Sequence, residues 1–325
     1  MRGLGRLARR AALPGLAVLT ALLLGAVVIV LTDFEHLAKL GSDPWAAIQG
    51  AVGGVGKGYG AMLAGAFGDP ARIAKAIQSG NSKDIATAVR PITETLVASA
   101  PLIFTGLGVA ISFRAGMFNI GGDGQLIIGA LGATTAVIAL AGHLPGPAIL
   151  IVAVVIGILS GGLWGFVPGF LKARTGAHEV ITTIMLNYVA AQVVLFALRS
   201  QFLRAPGSGS PISRNLTPIV DVPVIFTLPA IRLDYGFVAA LVMAGFVSLL
   251  LFRTTKGYEL RAAGFNLTAA RYAGMSAGGS MMLAMFLSGA LAGMGGSLMV
   301  IGTVGQLSND LSGGIGFNAD RKSVV

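Results

Sequence analysis

Long apolar stretches recur along this chain, with short polar segments between them. Seven are close to the length of about 20 residues that a membrane-spanning helix needs. They are residues 13–31, 94–113, 118–140, 148–171, 180–198, 235–252 and 280–304. A weaker, glycine-broken stretch at 45–67 contains Lys57, and we predict a surface or re-entrant segment outside the membrane. Residues 68–90 predict a solvated amphipathic helix and loop.

The composition supports a membrane protein and excludes several other classes. Apolar residues make up 54% of the 325 residues and charged residues only 11%, against about 25% charged in soluble domains. A soluble enzyme, a disordered chain and a disulfide scaffold are therefore excluded. The fold class we predict is an all-α, polytopic helical membrane protein with about seven to eight transmembrane helices.

The charged residues indicate orientation rather than a nucleic-acid partner. The formal charge is +10, but the basic residues flank apolar segments instead of alternating with aromatic residues. Four arginines precede the first span, which has no small-residue cleavage site and is predicted to stay uncleaved. With the N-terminus in the cytoplasm, the inside loops carry the larger excess of basic over acidic residues, as the positive-inside rule requires.

Glycines recur at helical spacing in two of the predicted spans. Residues four apart share one face of a helix, and a glycine face lets a neighbouring helix approach closely. We therefore predict helix packing, within the chain or between subunits, through Gly157, Gly161, Gly165, Gly169, Gly289 and Gly293. Packing inside one bundle is the favoured alternative.

Residues 113–125 join two spans with almost no loop and bring four glycines and several polar side chains to the membrane edge. Irregular backbone at that depth requires burial in protein or a watery cavity. Asn119 or Asp123 caps the next helix in one interpretation. In the other, Asn119, Asp123 and Gln125 line a substrate path, and both can hold.

A second polar cluster begins at residue 178 and runs into the fifth span. Glu179, Thr183 and Asn187 are spaced to share one helix face, with Thr182 beside them and Tyr188 following. The cluster either joins helices through hydrogen bonds or lines a pathway. The chain has no cysteine and only three scattered histidines, so we expect no metal site and no catalytic residues.

The loop at residues 253–279 predicts two short helices. Gly264 is expected to end the first, Asn266 to cap the second and Gly274 to close it. The second piece, residues 267–273, would be about 10 Å long. A helix this short is marginal alone in water, so docking against a partner would stabilise it.

At this point the chain resembles the permease subunits of ABC importers for nucleosides and simple sugars, the branched binding-protein-dependent, ribose-permease-like family. The residues that carry the resemblance are 113–125, 162–174, 179–190, 252–274 and 288–293, within a core of 94–317. The segment 1–93 would be an N-terminal span with an external amphipathic region.

The resemblance implies a transport subunit that moves solute by alternating access and is not itself an enzyme. ATP would be used by a cytoplasmic ABC ATPase, and this chain would bind no cofactor. A second homologous permease and an external substrate-binding lipoprotein would complete the importer in a bacterial cell membrane, with membrane lipid but no nucleic acid as further partners. Coupling to the ATPase would fall on Glu259, Arg261, Gly264, Asn266, Arg271 and Gly274.

Two departures from the family pattern and several alternatives stay open. Asp123 and Gly122 replace the usual Glu and a larger apolar residue, and the polar residues 318–325 form an atypical tail that looks like a truncation. The solute is predicted to be a nucleoside, with simple sugars second. An ion- or proton-coupled secondary transporter would use Asp123 or Glu94. An inactive scaffold is a further alternative, and a membrane enzyme ranks last.

Overall fold

The structure is a computed structural model that describes residues 2–226, 228, 231–308, 311 and 313. The predicted tail at 318–325 lies outside the described residues. These residues divide into two compact units, one ending at Ile92 and the other beginning at Thr93.

The first unit is helical throughout most of its length. It contains α1 (Arg2–Thr32), α2 (Phe34–Ala38), a 3₁₀ turn, α3 (Pro44–Phe67), α4 (Pro70–Ser79) and the beginning of α5 (Ser82–Arg114). Aspartate followed by proline starts two of these helices. The carboxylates of Asp43 and Asp69 accept hydrogen bonds from the backbone N–H groups of Ala46 (3.1 Å) and Ala71 (2.9 Å). Proline fits the first helical position because an N–H group there would have no partner within the helix.

Two features of this region add detail to the sequence prediction. Residues 45–67 lie within the single continuous helix α3, because none of their glycines has the positive φ that would end a helix. This helix is not among those long and apolar enough to cross a membrane, and its position outside the membrane stays a prediction. In residues 68–90, predicted as a helix and loop, α4 is followed by a two-residue turn, and α5 begins at Ser82, twelve residues before the predicted span. Asn81 starts it early by accepting a hydrogen bond from the N–H of Lys83 (3.1 Å).

The second unit contains the remaining helices. After the end of α5 they are α6 (Gly122–Leu140), α7 (Gly146–Thr175), α8 (Glu179–Leu198), α9 (Tyr235–Arg253), α10 (Thr255–Phe265), α11 (Leu267–Tyr272) and α12 (Ala277–Leu298). The last continues as a π-helix, Met299–Val304. Among the described residues, β pairing is limited to isolated bridges, and seven helices are long and apolar enough to cross a membrane. The predicted all-α polytopic fold is confirmed.

The core of the second unit is formed where α6, α7 and α12 pack together. About 72% of the apolar window of the α12 span and 67% of that of α6 are buried, whereas the values for α9 and α8 are 22% and 17%. Side chains such as Leu126, Ile149 and Ile301 fill this core and have almost no exposed surface.

Successive spans run in opposite directions, so the loops of the second unit gather at two ends. Gly116, after α5, lies against Gly264 of α10, and these segments define what we call the α10–α11 end. At the opposite end, the loop after α8 pairs with the segment after α12, where the N–H of Ser213 donates to the carbonyl of Leu307 (2.9 Å).

Candidate functional site

The connection between α5 and α6 is a tight, irregular turn at the α10–α11 end. The helix stops after Arg114, and Gly116 has a left-handed φ of +72°. A Cβ at Gly116 would lie 3.1 Å from the Cα of Gly264, so this position needs glycine for both its conformation and its space. The turn therefore brings the following polar residues back into the helix bundle.

A pair of buried amides lies immediately after this turn. The Nδ2 of Asn119 donates to the Oε1 of Gln125 (2.9 Å), and the Nε2 of Gln125 donates back to the Oδ1 of Asn119 (3.1 Å). The same Asn119 amide also donates to the Oγ of Ser288 on α12 (2.7 Å) and accepts from the N–H of Gly121 (2.9 Å). Both amide side chains are almost fully buried, and every hydrogen-bonding position of Asn119 is occupied.

Asn187 on α8 completes this buried amide network from a neighbouring helix. Its Nδ2 donates to the carbonyl of Ile120 (2.8 Å), and its Oδ1 accepts from the N–H of Gly124 (2.9 Å). Asn187 thus satisfies one of the N–H groups that the start of α6 leaves open. The expected cap by Asn119 reaches only Gly121, the residue before α6.

Asp123 does not cap α6. Its side chain is half-buried, and its Oδ1 is buried without a hydrogen-bond partner among the described residues. Tyr188, also predicted to line the pathway, is 69% exposed on the outside of α8. The structure therefore brings Asn119, Gln125 and Asn187 together, places Asp123 at the edge of this group and leaves Tyr188 outside it.

The polar face of α8 lies towards the protein. Glu179 and Thr183 are buried, and the Nζ of Lys172, at the end of α7, lies 2.8 Å from the Oε2 of Glu179. The hydroxyl of Thr183 donates to the carbonyl of Glu179 (2.8 Å). This face joins α8 to α6 and α7.

No group of three His, Cys, Asp or Glu side chains suited to a metal occurs in the described part of the chain.

The predicted glycine faces lie against each other within one chain, and we call this contact the glycine seam. A Cβ at Gly161 would lie 2.5 Å from the carbonyl oxygen of Gly289, and one at Gly165 would lie 2.5 Å from that of Met285. Side chains essentially never come so close to backbone. A Cβ at Gly157 would lie 2.7 Å from the Cβ of Ser297 on α12, and one at Gly169 would lie 2.9 Å from that of Met285. From the α12 side, a Cβ at Gly293 would lie 2.4 Å from the carbonyl oxygen of Gly157.

The loop at the α10–α11 end has the predicted two helices, with one correction. Asn266 caps α11 by accepting from the N–H groups of Thr268 and Ala269 (both 3.0 Å), and Gly274 has a φ of +78°. Gly264 does not end α10, which continues to Phe265. Its lack of a side chain instead allows α10 to lie against the backbone of Arg114.

The polar candidates of this loop differ in their surroundings. The Nζ of Lys256 lies 3.0 and 2.9 Å from the carboxylate oxygens of Glu259. The guanidinium of Arg261 lies 5.2 Å from the ring centre of Phe252, and Arg271 is exposed.

Two exposed aromatic residues flank α11 and were missing from the sequence prediction. Phe265 is 87% exposed and Tyr272 is 90% exposed. Aromatic side chains at such exposure on a loop are typical of surfaces that a partner covers. Their position on either side of a predicted docking helix was the signal that could have identified them.

Comparison with known proteins places this architecture in a family. Residues 92–320 match the family described as "Branched-chain amino acid transport system / permease component". The chain belongs to this permease family. No solved structure matches it.

Curated relatives include permeases with different solutes. The chain is 35% identical to the guanosine ABC transporter permease protein NupP of Bacillus subtilis, over 77% of this chain and 65% of the relative. It is 33% identical to the nucleoside ABC transporter permease protein NupB of Lactococcus lactis, over 69% and 62%. Identity to the glucose ABC transporter permease protein TsgB13 of Haloferax volcanii is 32%, over 70% and 61%. The chain thus spans less than two thirds of the length of these relatives.

Proposed function

We propose that this chain is the membrane-spanning permease subunit of an ATP-driven importer whose solute is a nucleoside. The observation that carries the proposal is the similarity to guanosine and nucleoside permeases, at 35% and 33% identity over 77% and 69% of this chain. The partners are a cytoplasmic ABC ATPase, a second homologous permease and an external substrate-binding lipoprotein. The permease itself hydrolyses nothing, and solute crosses by alternating access.

The buried amide network supports a solute path for uncharged, hydrogen-bonding molecules. In this conformation Asn119 and Gln125 satisfy each other, so they are closed to solute. Asp123 and Asn187, both half-buried, lie at the edge of the group. We propose that relative movement of α6 and α12 breaks the contact between Asn119 and Ser288 and exposes these amides to hydroxyls and base edges, with Tyr188 at the outer rim.

The α10–α11 end supports a cytoplasmic position and a docking role. Its basic residues outnumber the acidic Glu179 and Glu259, as expected of an inside surface; they are Arg114, Lys172, Arg174, Arg253, Lys256, Arg261 and Arg271. Phe265 and Tyr272 would insert into the ATPase, while Asn266 and Gly274 hold α11 in shape. Glu259, Arg261, Gly264 and Arg271 complete the proposed coupling segment.

The docking role is tested by co-purification of the chain with a candidate ATPase subunit. We expect the double variant Phe265→Ala/Tyr272→Ala to retain less than a tenth of the ATPase that wild type retains. Phe202→Ala, which removes a 47% exposed aromatic side chain at the opposite end, serves as the matched control and should retain all of it. Equal retention by both variants would overturn the docking role.

The solute is tested by uptake of labelled guanosine and labelled glucose in cells that express the complete importer. A sugar is the second candidate because the glucose permease is almost as similar as the nucleoside permeases. The proposal predicts guanosine uptake that excess unlabelled adenosine reduces and excess glucose leaves unchanged. Uptake of glucose alone would establish the sugar alternative.

A proton-coupled carrier is a further candidate; the sequence named Asp123 or Glu94 for it, and the structure adds a third carboxyl group to test. Asp234 lies just before α9, is 5% exposed, and burial raises the pKa of its carboxyl group above the usual value. The hydrogen bond from the N–H of Gly236 (2.9 Å) lowers the pKa of the same carboxyl group. If Asp234 carried a proton in transport, a protonophore would stop uptake while ATP remained intact.

A further inference from the structure

An open groove lies at the α10–α11 end, between the beginning of α10 and the beginning of α12. Its volume is about 800 Å³. Arg253, Lys256 and Arg261 supply the basic part of its lining, and Thr254, Tyr258 and Ser276 supply polar and aromatic surface. We call it the basic groove.

The basic groove opens at the level where the spans leave the membrane. Arg253 is the last residue of the α9 span, and Ser276 directly precedes the α12 span. Tyr258 is 58% exposed and Phe252 is 50% exposed. Exposed aromatic side chains at the ends of spans are typical of the headgroup layer of a bilayer. The groove therefore faces the depth at which phospholipid phosphates lie.

The charges of the basic groove are not balanced within the protein. Of the three cations, only Lys256 has an acidic neighbour in the groove, Glu259, so three positive charges against one negative leave +2. No carboxylate pairs with Arg253 or Arg261 among the described residues. A pair of uncompensated cations at the membrane surface favours an anion from outside the chain.

The guanidinium group of Arg261 lies close to a second positive group, that of Arg114. Its guanidinium and that of Arg114 lie 5.2 and 5.6 Å from the centre of the same ring, that of Phe252. The Nε of Arg261 is buried and has no hydrogen-bond partner in the described part of the chain. Two like charges on one aromatic ring repel each other, so a bound anion would stabilise the arrangement.

The backbone adds to the positive potential of the groove. Thr254 and Ser276 cap α10 and α12, accepting hydrogen bonds from the N–H groups of Gly257 (3.0 Å) and Gly279 (3.1 Å). The positive ends of both helix dipoles therefore lie at the groove lining. The helix dipoles add to the positive potential that the arginine side chains already create in the groove.

We propose that the basic groove binds the headgroup of an anionic phospholipid, with its phosphate between Arg253 and Arg261. The acyl chains would run along the outer surface of α9, where Val242, Phe246 and Leu249 are exposed. An acidic segment of the ATPase fits less well, because the groove opens at the membrane boundary and the fully exposed aromatics Phe265 and Tyr272 lie outside its lining. The proposal depends on the membrane-spanning fold and not on the solute.

The test is native mass spectrometry of the full chain in detergent, titrated with dioleoylphosphatidylglycerol or dioleoylphosphatidylcholine. We expect phosphatidylglycerol to bind at least tenfold more tightly than phosphatidylcholine, and Arg253→Gln/Arg261→Gln to weaken phosphatidylglycerol binding about tenfold or more. Equal binding of the two lipids, or unchanged binding by the double variant, would overturn the proposal.

Three controls keep the result specific. Arg271→Gln removes an exposed charge of the same loop outside the groove lining and should bind like wild type. Arg253→Gln alone changes an exposed side chain, so a weakened signal from it cannot reflect misfolding. Arg261→Lys keeps the charge and should lose less affinity than Arg261→Gln. Displacement of the lipid by sn-glycerol 1-phosphate at equal concentration, or by saturating ATPase, would contradict a lipid occupant.

Discussion

Two spans of the second unit, α12 and α8, have nearly the same mean hydropathy but differ greatly in how much of their surface is buried. Both are apolar enough to cross a membrane, yet 72% of the apolar part of α12 is buried and only 17% of that of α8. The difference lies in side-chain size. Gly289 and Gly293 let α12 lie directly against α7, whereas α8 presents large side chains such as Ile181 and Phe196 outward. Hydropathy therefore identifies a span, and small residues identify which spans form the centre.

The two helices also use their polar residues differently. Ser288 of α12 meets Asn119 inside the buried amide network, far from water. On α8, Glu179, Thr183 and Asn187 form one inward stripe, whereas large apolar side chains such as Ile181 and Phe196 face outward. The second unit thus has a central helix in close contact with its neighbours, α12, and a peripheral helix held along one face, α8.

The largest expected effect comes from filling the glycine seam. Gly161→Val places a branched side chain where even a Cβ would lie 2.5 Å from the carbonyl oxygen of Gly289. We expect a loss of about 3 kcal/mol of stability, the upper end for an overpacked core, because the two backbones are already in contact. Thermal denaturation in detergent and the yield of monodisperse protein measure it.

A matched substitution separates packing from helix propensity. Gly245 lies within α9, and a Cβ there would meet nothing within 4 Å. Gly245→Val should therefore change the thermal midpoint by no more than a few degrees. Similar losses in the two variants would show that the seam has no special role.

The next largest effect is expected in the buried amide network. Asn119→Ala removes both hydrogen bonds of the Gln125 side chain and the donor to Ser288, leaving a buried amide unsatisfied at a cost of about 1–3 kcal/mol. A double-mutant cycle with Gln125→Leu checks the origin of the loss. The double variant should be no less stable than Asn119→Ala alone, and strict additivity of the two losses would be inconsistent with a direct pair.

A smaller effect is expected where α7 meets α8. Glu179→Gln removes the charge that faces Lys172 at 2.8 Å, and we expect about 1 kcal/mol because the half-buried lysine can turn towards water. Raising the salt concentration should reduce the difference from wild type. A loss that is independent of both salt and Lys172→Met would indicate a packing defect instead.

The smallest effect on stability is expected at the outside of α8. Tyr188→Ala removes a side chain that is 69% exposed, so the thermal midpoint should change by less than the equivalent of about 0.5 kcal/mol. Uptake, in contrast, should fall if Tyr188 forms the outer rim of the solute path. Normal uptake would remove it from the proposed path.

The sequence predicted much of this architecture for physical reasons that act locally. Spans follow from apolar length, the glycine faces from a four-residue spacing, and the α11 cap from the side chain of Asn266. Features that depend on distant residues were not predictable in this way. The N–H of Gly124 at the start of α6 donates to the side chain of Asn187, which lies 63 residues later in the chain. Gly264 is needed for contact with the backbone of Arg114 rather than to end a helix. Neither leaves a pattern in its own segment.

The central claim is tested most directly by transport in proteoliposomes. The chain would be reconstituted with its ATPase, its second permease and its binding lipoprotein, and uptake of labelled guanosine would be measured with ATP supplied on the ATPase side. The account predicts uptake that requires ATP, stops with a non-hydrolysable analogue and continues when a protonophore removes the proton gradient. Uptake driven by a proton gradient without ATP would contradict it.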